Sequence, residues 1–204
     1  MNKTDYKKEL KQFYSAKIGK PVVVQVPKMN FIMIDGRGDP NTSQEYIDAM
    51  QALYSVAYTI KFISKLKYSH DFRVMPLEGL WWTERMADFS VTDKSNWLWT
   101  AMIMQPDVIN KGIYDQAVKQ TKEKKSPKSL DMIRFESYDE GRAAQVMYLG
   151  PYSDEGPTIQ QLHQFIEEQG GTLEETTMHH HEIYLGDPRR TDPANLKTII
   201  RQPF

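Results

Sequence analysis

The chain contains no cysteine among its 204 residues. This absence excludes disulfide bonds, thiolate metal sites and cysteine nucleophiles. The sequence also lacks an apolar run of about 18 residues, so it predicts no membrane-spanning helix. Neither sign of charge is in excess, because 26 Lys and Arg residues balance 27 Asp and Glu residues. We therefore expect no membrane partner and no direct nucleic acid binding.

Two familiar catalytic signatures are missing as well. No G-x-S-x-G nucleophile elbow occurs, and "GRGDP" at residues 36–40 lacks the spacing of a phosphate-binding loop. The N-terminal residues carry charges throughout, unlike a secretory signal, and we expect a cytoplasmic protein. Residues 1–20 are predicted to form an N-terminal arm, followed by one domain over residues 21–204.

Aromatic residues are plentiful, with 4 Trp, 11 Tyr and 8 Phe. The tryptophans form two close pairs, Trp81–Trp82 and Trp97–Trp99. Most large aromatic residues simply fill a core, but paired indole rings also make flat walls for planar or cationic ligands. Strand alternation leaves open whether Trp81 or Trp82 points inward, and our interpretation selects Trp82.

The order strand–helix–strand–strand occurs twice along the chain. "FIMIDGRGDPNTSQEYIDAM" and "AQVMYLGPYSDEGPTIQQLH" each contain an apolar strand, a glycine–proline turn and a helix. Such a duplication predicts an α+β fold of two pseudo-symmetric halves, about residues 21–105 and 130–204, with a ligand pocket where they meet. A β-hairpin turning at Asp139–Glu140–Gly141 is predicted to open the second half.

The stretch "HHHEIYLGDPRR" begins with three consecutive histidines. Side chains alternate across a strand, so His180 and Tyr184 share one face, whereas His179 and His181 share the other. Three such histidines cannot all bind one metal ion, although a His179–His181 pair remains geometrically possible. We expect no metal, and we interpret the histidines as exposed or edge positions.

Glu182, on the face of His180 and Tyr184, stands beside Ile183 and Leu185 in a run that we expect to be a central strand. Burying a carboxylate without a partner costs several kcal/mol or raises its pKa. One explanation is a salt bridge to Arg134 or Arg142. The other is an acid that faces an aromatic ligand pocket.

The segments "PLEGLWW", "YLGPYSDEG" and "HHHEIYLGDPRRTDPANLKTIIRQP" together resemble the GyrI-like small-molecule-binding proteins. That family includes gyrase-inhibitory proteins and the effector-binding domains of MerR-type multidrug regulators, and the resemblance covers roughly residues 20–204. It implies tandem duplicated β-α-β-β modules with antiparallel sheets packed around a central aromatic pocket. The acid at the centre of that pocket corresponds to Glu182. The resemblance also implies that some members hydrolyse cyclopropane-bearing DNA-alkylating natural products, whereas regulator-attached members only bind drugs.

Two functions are therefore compatible with these residues. In the first, a detoxifying hydrolase, Glu182 is a general base for a water that opens an electrophilic cyclopropane, with help from a tyrosine hydroxyl and with neither a metal nor an organic cofactor. In the second, a multidrug-binding module sequesters lipophilic aromatic or cationic molecules, or acts on DNA gyrase or transcription. The short N-terminus has no room for a helix-turn-helix domain, which favours the enzyme. The candidate ligand-binding residues are Tyr148, Tyr184, Trp82, Trp97 and Trp99.

Overall fold

The structure is a computed structural model that describes residues 3–84, 93–173 and 179–204. The α-helices in this part of the chain are α1 (Tyr6–Glu9), α2 (Lys11–Tyr14), α3 (Gln44–Tyr68), α4 (Lys111–Lys124) and α5 (Gly156–Glu168). The strands are β1 (Val22–Val26), β2 (Met29–Arg37), β3 (Leu77–Trp82), β4 (Leu98–Gln105), β5 (Arg134–Tyr138), β6 (Gly141–Leu149), β7 (His180–Tyr184) and β8 (Lys197–Pro203). None of the described helices has the length and apolar character needed to cross a membrane.

The strands form one antiparallel sheet in the order β1-β6-β8-β7-β3-β4-β2-β5, curled into a half-barrel. This order is symmetric about the central β3–β7 pair. On one side lie β3, β4 and β2, which with α3 make the first β-α-β-β module. On the other side lie β7, β8 and β6, which with α5 make the second. The predicted α+β fold of duplicated modules is confirmed, with both modules sharing a single sheet.

The predicted hairpin at Asp139–Gly141 is wrong. β5 pairs with β2, with Phe31 opposite Glu136, whereas β6 pairs with β1, with Val24 opposite Ala143. The strand that precedes each module, β1 or β5, therefore joins the sheet beside the other module. A turn motif reports only that the chain changes direction, and the curl of the sheet decides which strands become neighbours.

The helices cover separate parts of one sheet face. α3 packs on β2 and β4 and buries Leu53, Ala57 and Ile60. α5 packs on β6 and β8 through Leu162 and Ile166. The central β3–β7 pair lies between these two contact areas, so a cleft forms above it.

The opposite face of β7 carries a buried ionic cluster. His181 Nδ1 lies 2.8 Å from Glu140 Oε1, and its Nε2 lies 3.0 Å from Glu78 Oε2. Arg201 Nη1 donates to Glu140 Oε2 at 2.8 Å, and the Tyr14 hydroxyl donates to Glu78 Oε1 at 2.8 Å. His180 and His181 are both buried, so their interpretation as exposed or edge positions is wrong.

The charges in this cluster stabilise one another. Burial alone lowers the pKa of His181, but the adjacent Glu140 and Glu78 carboxylates raise it to about 9. Burial alone raises the pKa of Glu140, but His181 and Arg201 hold it at about 2. Arg201 Nη2 also donates to the carbonyl oxygen of Phe13, which ties the N-terminal segment to the sheet. The cluster thus fixes the back of the strand whose front carries Glu182.

This cluster predicts that stability falls with rising pH. Because the pKa of His181 is higher in the folded chain, its contribution is fully present below pH 6.5 and is lost as the pH rises through about 9. The loss amounts to about 3 kcal/mol, since one pKa unit corresponds to about 1.36 kcal/mol. Because Glu155 also titrates differently in the folded and unfolded chain over this range, the loss is measured by urea unfolding between pH 6.5 and 9 as the difference between wild type and His181→Gln.

The matched variants for this experiment are His181→Gln and His179→Gln. His181→Gln is expected to be less stable by about 3–5 kcal/mol at pH 6.5 and to show a flatter pH dependence, because it removes the cation that lies between the buried Glu78 and Glu140 carboxylates. His179→Gln keeps the wild-type slope, since burial lowers the pKa of His179 and the ring is already neutral in this range. Equal slopes for wild type and His181→Gln would refute the assignment.

Candidate active site

The cleft is built on the front faces of β3 and β7. Strand alternation places His180, Glu182 and Tyr184 toward the helices, and register places Gly79 opposite Glu182. A Cβ atom on Gly79 would lie 2.7 Å from Trp81 Nε1. The absence of a side chain at Gly79 therefore lets the indole of Trp81 lie over the strand beside Glu182.

Both carboxylate oxygens of Glu182 have hydrogen-bonding partners. His180 Nε2 lies 3.0 Å from Oε1, and the Tyr184 hydroxyl donates to Oε2 at 2.6 Å. Trp81 Nε1 in turn donates to the Tyr184 oxygen at 3.1 Å. Burial alone raises the pKa of Glu182, but the hydrogen bonds from His180 and Tyr184 bring it below its ordinary value. Glu182 is therefore ionised at neutral pH although it is only 7% exposed.

The two arginines considered as salt-bridge partners of Glu182 lie elsewhere. Arg134 binds Asp35 and Glu136 at the far edge of the sheet. The guanidinium of Arg142 lies 4.2 Å from the ring centre of Phe204. The hydrogen-bonding partners of the Glu182 carboxylate are instead His180 and Tyr184, which lie on the same strand.

A second carboxyl group, that of Glu155, enters the site from the N-terminal end of α5. Its side chain is buried, and its Oε1 has no hydrogen-bond partner within the described residues. Burial, followed by the negative charge of Glu182, raises the pKa of Glu155 to about 10. At neutral pH the pair of carboxyl groups therefore carries a single proton. This proton resides on Glu155, because the Glu182 carboxylate is stabilised by its hydrogen bonds with His180 and Tyr184. The site combines a buried base with a buried acid.

A small cavity lies between these two groups. Its volume is about 10 Å³, enough to admit one water molecule. The residues around it are Lys94, Trp97, Tyr152, Glu155, Ile159, His180 and Glu182. A water bound there is within reach of both an acid and a base.

The small cavity adjoins a much larger cleft of about 1570 Å³. Aromatic rings line the inner end of the cleft. The ring centres of Trp81 and Trp97 are 5.4 Å apart, and those of Tyr46 and Trp81 are 6.0 Å apart. On the other side the ring of Tyr152 meets that of Tyr184 edge-on at 5.5 Å. Burial and the charge of Glu182 raise the pKa of Tyr152 to about 12, so this wall is neutral at physiological pH.

Of the predicted site residues, Trp97 and Tyr184 lie with Glu182 in the cleft. The choice of Trp82 is wrong, because Trp81 faces the cleft and the ring of Trp82 lies 4.6 Å from that of His179. Residue 81, in register with His180, shares the face of Glu182, and residue 82 takes the other face.

Two further predicted residues support the site without lining it. Trp99 is buried behind Tyr46, with the two rings edge-on at 5.1 Å. Tyr148 packs under α5, and its hydroxyl donates to the carbonyl oxygen of Pro151 at 2.9 Å. Gly150 takes a φ of +145° at this turn, where a Cβ atom would lie 2.5 Å from the Tyr148 hydroxyl. Tyr148 therefore shapes the turn that leads to Glu155.

Sequence reasoning missed several groups that complete the site: Tyr46, Lys94, Tyr152, Glu155 and His180. Tyr152 and Glu155 stand in "YLGPYSDEG", a segment that in the sequence indicates a turn and a helix start and contributes to the family resemblance. An acidic residue at a helix start ordinarily stabilises the helix end, so its burial beside another carboxyl group has no local signature. Tyr46 lies on the apolar face of α3, and the spacing of apolar residues along this helix is the sequence signal that could have identified it.

The structure gives His181 no free nitrogen for a metal ion. Both ring nitrogens bind carboxylates at 2.8 and 3.0 Å. Across residues 3–84, 93–173 and 179–204, no group of three or more His, Asp or Glu side chains is arranged to hold a metal. His181 therefore forms ion pairs with Glu78 and Glu140, and it is not available to bind a metal ion together with His179.

The chain is similar to a known domain family and to several solved structures. The family model for the GyrI-like small molecule binding domain matches residues 19–204. A hydrolase from Listeria innocua is 41% identical, with 99% of each chain covered and a TM-score of 0.88. A second Listeria innocua hydrolase structure is 39% identical over 98% of this chain and 99% of that chain, with a TM-score of 0.83. The EcmrR C-terminal domain, 14% identical over 90% of this chain and 96% of that chain, shares the fold with a TM-score of 0.54. No curated protein matches the chain.

The paired carboxyl groups predict unequal titration of Glu155 and Glu182. In ¹³C NMR of glutamate-labelled protein, Glu155 is expected to stay protonated until the pH approaches about 10, whereas Glu182 stays ionised until the pH falls below the ordinary glutamate pKa. Glu182→Gln should lower the pKa of Glu155, because the neighbouring negative charge is removed. Titration of Glu155 near the ordinary glutamate value in the wild type would contradict this arrangement.

Proposed function

Because the chain belongs to the GyrI-like small-molecule-binding family, we propose that it is a hydrolase that detoxifies flat, cyclopropane-bearing DNA-alkylating compounds. The observation that carries this proposal is the pairing of ionised Glu182 with neutral Glu155 around a water-sized cavity. The aromatic cleft beside that cavity suits a planar substrate. The Listeria innocua hydrolases of the same fold lend support at 39–41% identity.

In the proposed reaction one carboxyl group accepts a proton and the other donates one. Glu182 accepts a proton from a water molecule as the water oxygen bonds to the ring carbon of an activated cyclopropane. The carbon–carbon bond of the ring breaks, and its electron pair moves into the conjugated carbonyl group. Glu155 donates its proton to the oxygen that gains this charge. The product is a ring-opened alcohol, and proton exchange with solvent restores both groups.

The remaining residues position these two groups. Tyr184 and His180 fix both oxygens of Glu182, so the carboxylate keeps one orientation while a water is held against it. Trp81 fixes Tyr184 through its indole N–H and presents its ring to the cleft. A flat substrate stacked on Trp81 or Trp97 therefore lies beside the paired carboxyl groups.

Binding without chemistry is the second candidate function. The observation that favours it is the buried negative charge of Glu182 among indole and phenol rings, the environment that attracts lipophilic cations. In that case a cationic dye binds more tightly than its neutral analogue and is recovered unchanged. Glu182→Gln removes this preference for the cation.

Removal of either carboxyl group is expected to slow turnover strongly. Glu182→Gln lowers kcat by about 10²–10⁴-fold because the amide cannot accept a proton, and Glu155→Gln lowers it similarly because the amide cannot donate one at the required acidity. The measurement is mass spectrometry of a spirocyclopropane-dienone alkylator and its water adduct over time.

The control variant is Glu167→Gln, which alters an exposed glutamate on α5 and should keep wild-type turnover. Circular dichroism confirms that each variant is folded. Full activity of Glu182→Gln would exclude the proposed mechanism. An intact substrate bound by the wild type, with no water adduct, would instead establish the binding function.

The pH dependence of turnover follows from the two protonation states. Activity requires ionised Glu182 and protonated Glu155, so kcat should be constant across neutral pH and fall as the pH rises through about 10. The acidic limb should lie below the ordinary glutamate value, because the pKa of Glu182 is lowered. A rate that climbs steadily with hydroxide concentration would argue against Glu155 as the acid.

A further inference from the structure

The cavity beside the paired carboxyl groups also contains a lysine that the proposed reaction does not use. Lys94 lies between β3 and β4 in the chain, is half-buried, and lines both the small cavity and the large cleft. Its ammonium nitrogen Nζ lies 4.6 Å from the ring centre of Trp97. The protein therefore places a positive charge of its own over one of the indole rings of the site.

The Lys94 charge acts on both carboxyl groups of the site. Burial is the largest influence on the pKa of Glu155 and of Glu182 and raises it, whereas the positive charge of Lys94 lowers the pKa of each group. The other titratable residues of the cavity wall, His180 and Tyr152, add no negative charge at neutral pH. Because Glu155 is protonated, the negative charge of Glu182 is the one that Lys94 balances within the site.

A balanced site favours a different class of ligand from a negatively charged one. An aromatic pocket with an uncompensated carboxylate attracts lipophilic cations, because the indole faces and the carboxylate both stabilise positive charge. Here a cation stacked on Trp97 meets the Lys94 ammonium, and like charges repel each other more strongly in a shielded site than in water. A neutral molecule meets no such repulsion, and the ammonium can donate a hydrogen bond to an oxygen on it.

We propose that Lys94 is a specificity-determining residue, which makes the site select neutral, flat molecules with an acceptor oxygen over flat cations. The proposal rests on the proposed function, because that oxygen belongs to the conjugated carbonyl group of the electrophilic substrate. A carbonyl oxygen has two lone pairs, so it can accept hydrogen bonds from Lys94 and from Glu155 at the same time. Lys94 thereby orients the ligand through its oxygen and excludes ligands of its own charge.

The experiment compares two flat tricyclic probes of nearly equal size, the cation N-methylacridinium and the neutral ketone N-methylacridone. Fluorescence titration at neutral pH measures their affinities. The wild type is expected to bind N-methylacridone about tenfold more tightly than N-methylacridinium. Lys94→Met removes the charge and keeps an unbranched side chain. It should bind N-methylacridinium about tenfold more tightly than the wild type does, because the repulsion is gone, and N-methylacridone about threefold more weakly, because a donor is lost.

Two further variants are controls. Lys94→Arg retains the positive charge and the donors, so it should restore the wild-type preference. Lys125→Met removes the same charge from a lysine that lines the large cleft but not the small cavity, and it should bind both probes like the wild type. Circular dichroism verifies that each variant is folded.

The ratio of the two affinities decides the role of Lys94. A wild type that binds the cation more tightly than the ketone overturns the proposal, and so does a wild type that binds neither probe. An unchanged ratio in Lys94→Met also overturns it. A Lys125→Met variant that shifts the ratio as far as Lys94→Met does contradicts it too, because the overall charge of the cleft then sets the preference.

Failure of the proposed chemistry gives a different pattern. If Glu182→Gln retains turnover while Lys94→Met reverses the preference between the probes, the hydrolytic mechanism is wrong and the role of Lys94 stands. If Glu182→Gln loses turnover while Lys94→Met keeps the wild-type preference, the mechanism stands and the role assigned to Lys94 is wrong.

Discussion

The structure depends on keeping one carboxylate ionised inside the protein. An unpaired buried charge costs several kcal/mol, and a carboxyl group in that position ordinarily takes up a proton. Glu182 avoids this because His180 and Tyr184 engage both of its oxygens. Glu155, which lacks comparable donors, retains the proton in its place. This asymmetry gives two chemically identical side chains different roles, one as a base and one as an acid.

The two faces of β7 have different roles in this arrangement. On the front, Glu182 faces the aromatic cleft, whereas on the back His181 is held between Glu78 and Glu140. The back cluster is closed, since each carboxylate meets a cationic or hydroxyl partner within the protein, and Arg201 extends it to the N-terminal segment. A closed cluster resists movement of the strand, and an open carboxylate on the other face can then meet a ligand in a fixed position.

The duplicated architecture explains why the site lies at the centre of the sheet. Trp81 comes from the first module, and Glu182 and Glu155 come from the second. α3 and α5 each cover their own module and leave the middle pair of strands open to a ligand. Exposed side chains of α3, from Ile47 to Phe62, line the outer part of this opening along the first module. Each module therefore supplies a different part of the cleft, although the two follow the same order of elements.

The sequence by itself determined the order of elements, the duplication, the family resemblance and the alternation that places Glu182 beside Tyr184. These features are local, because strand periodicity and helix stripes depend only on residues a few positions apart. Tertiary structure alone decided that β5 and β6 separate to opposite parts of the sheet, that Trp81 takes the place expected for Trp82, and that Glu155 meets Glu182. Those outcomes depend on strand register and on the curl of the sheet, which bring together groups that are distant in sequence. The protonation of a carboxyl group depends on these neighbours, and they are assembled only when the chain folds.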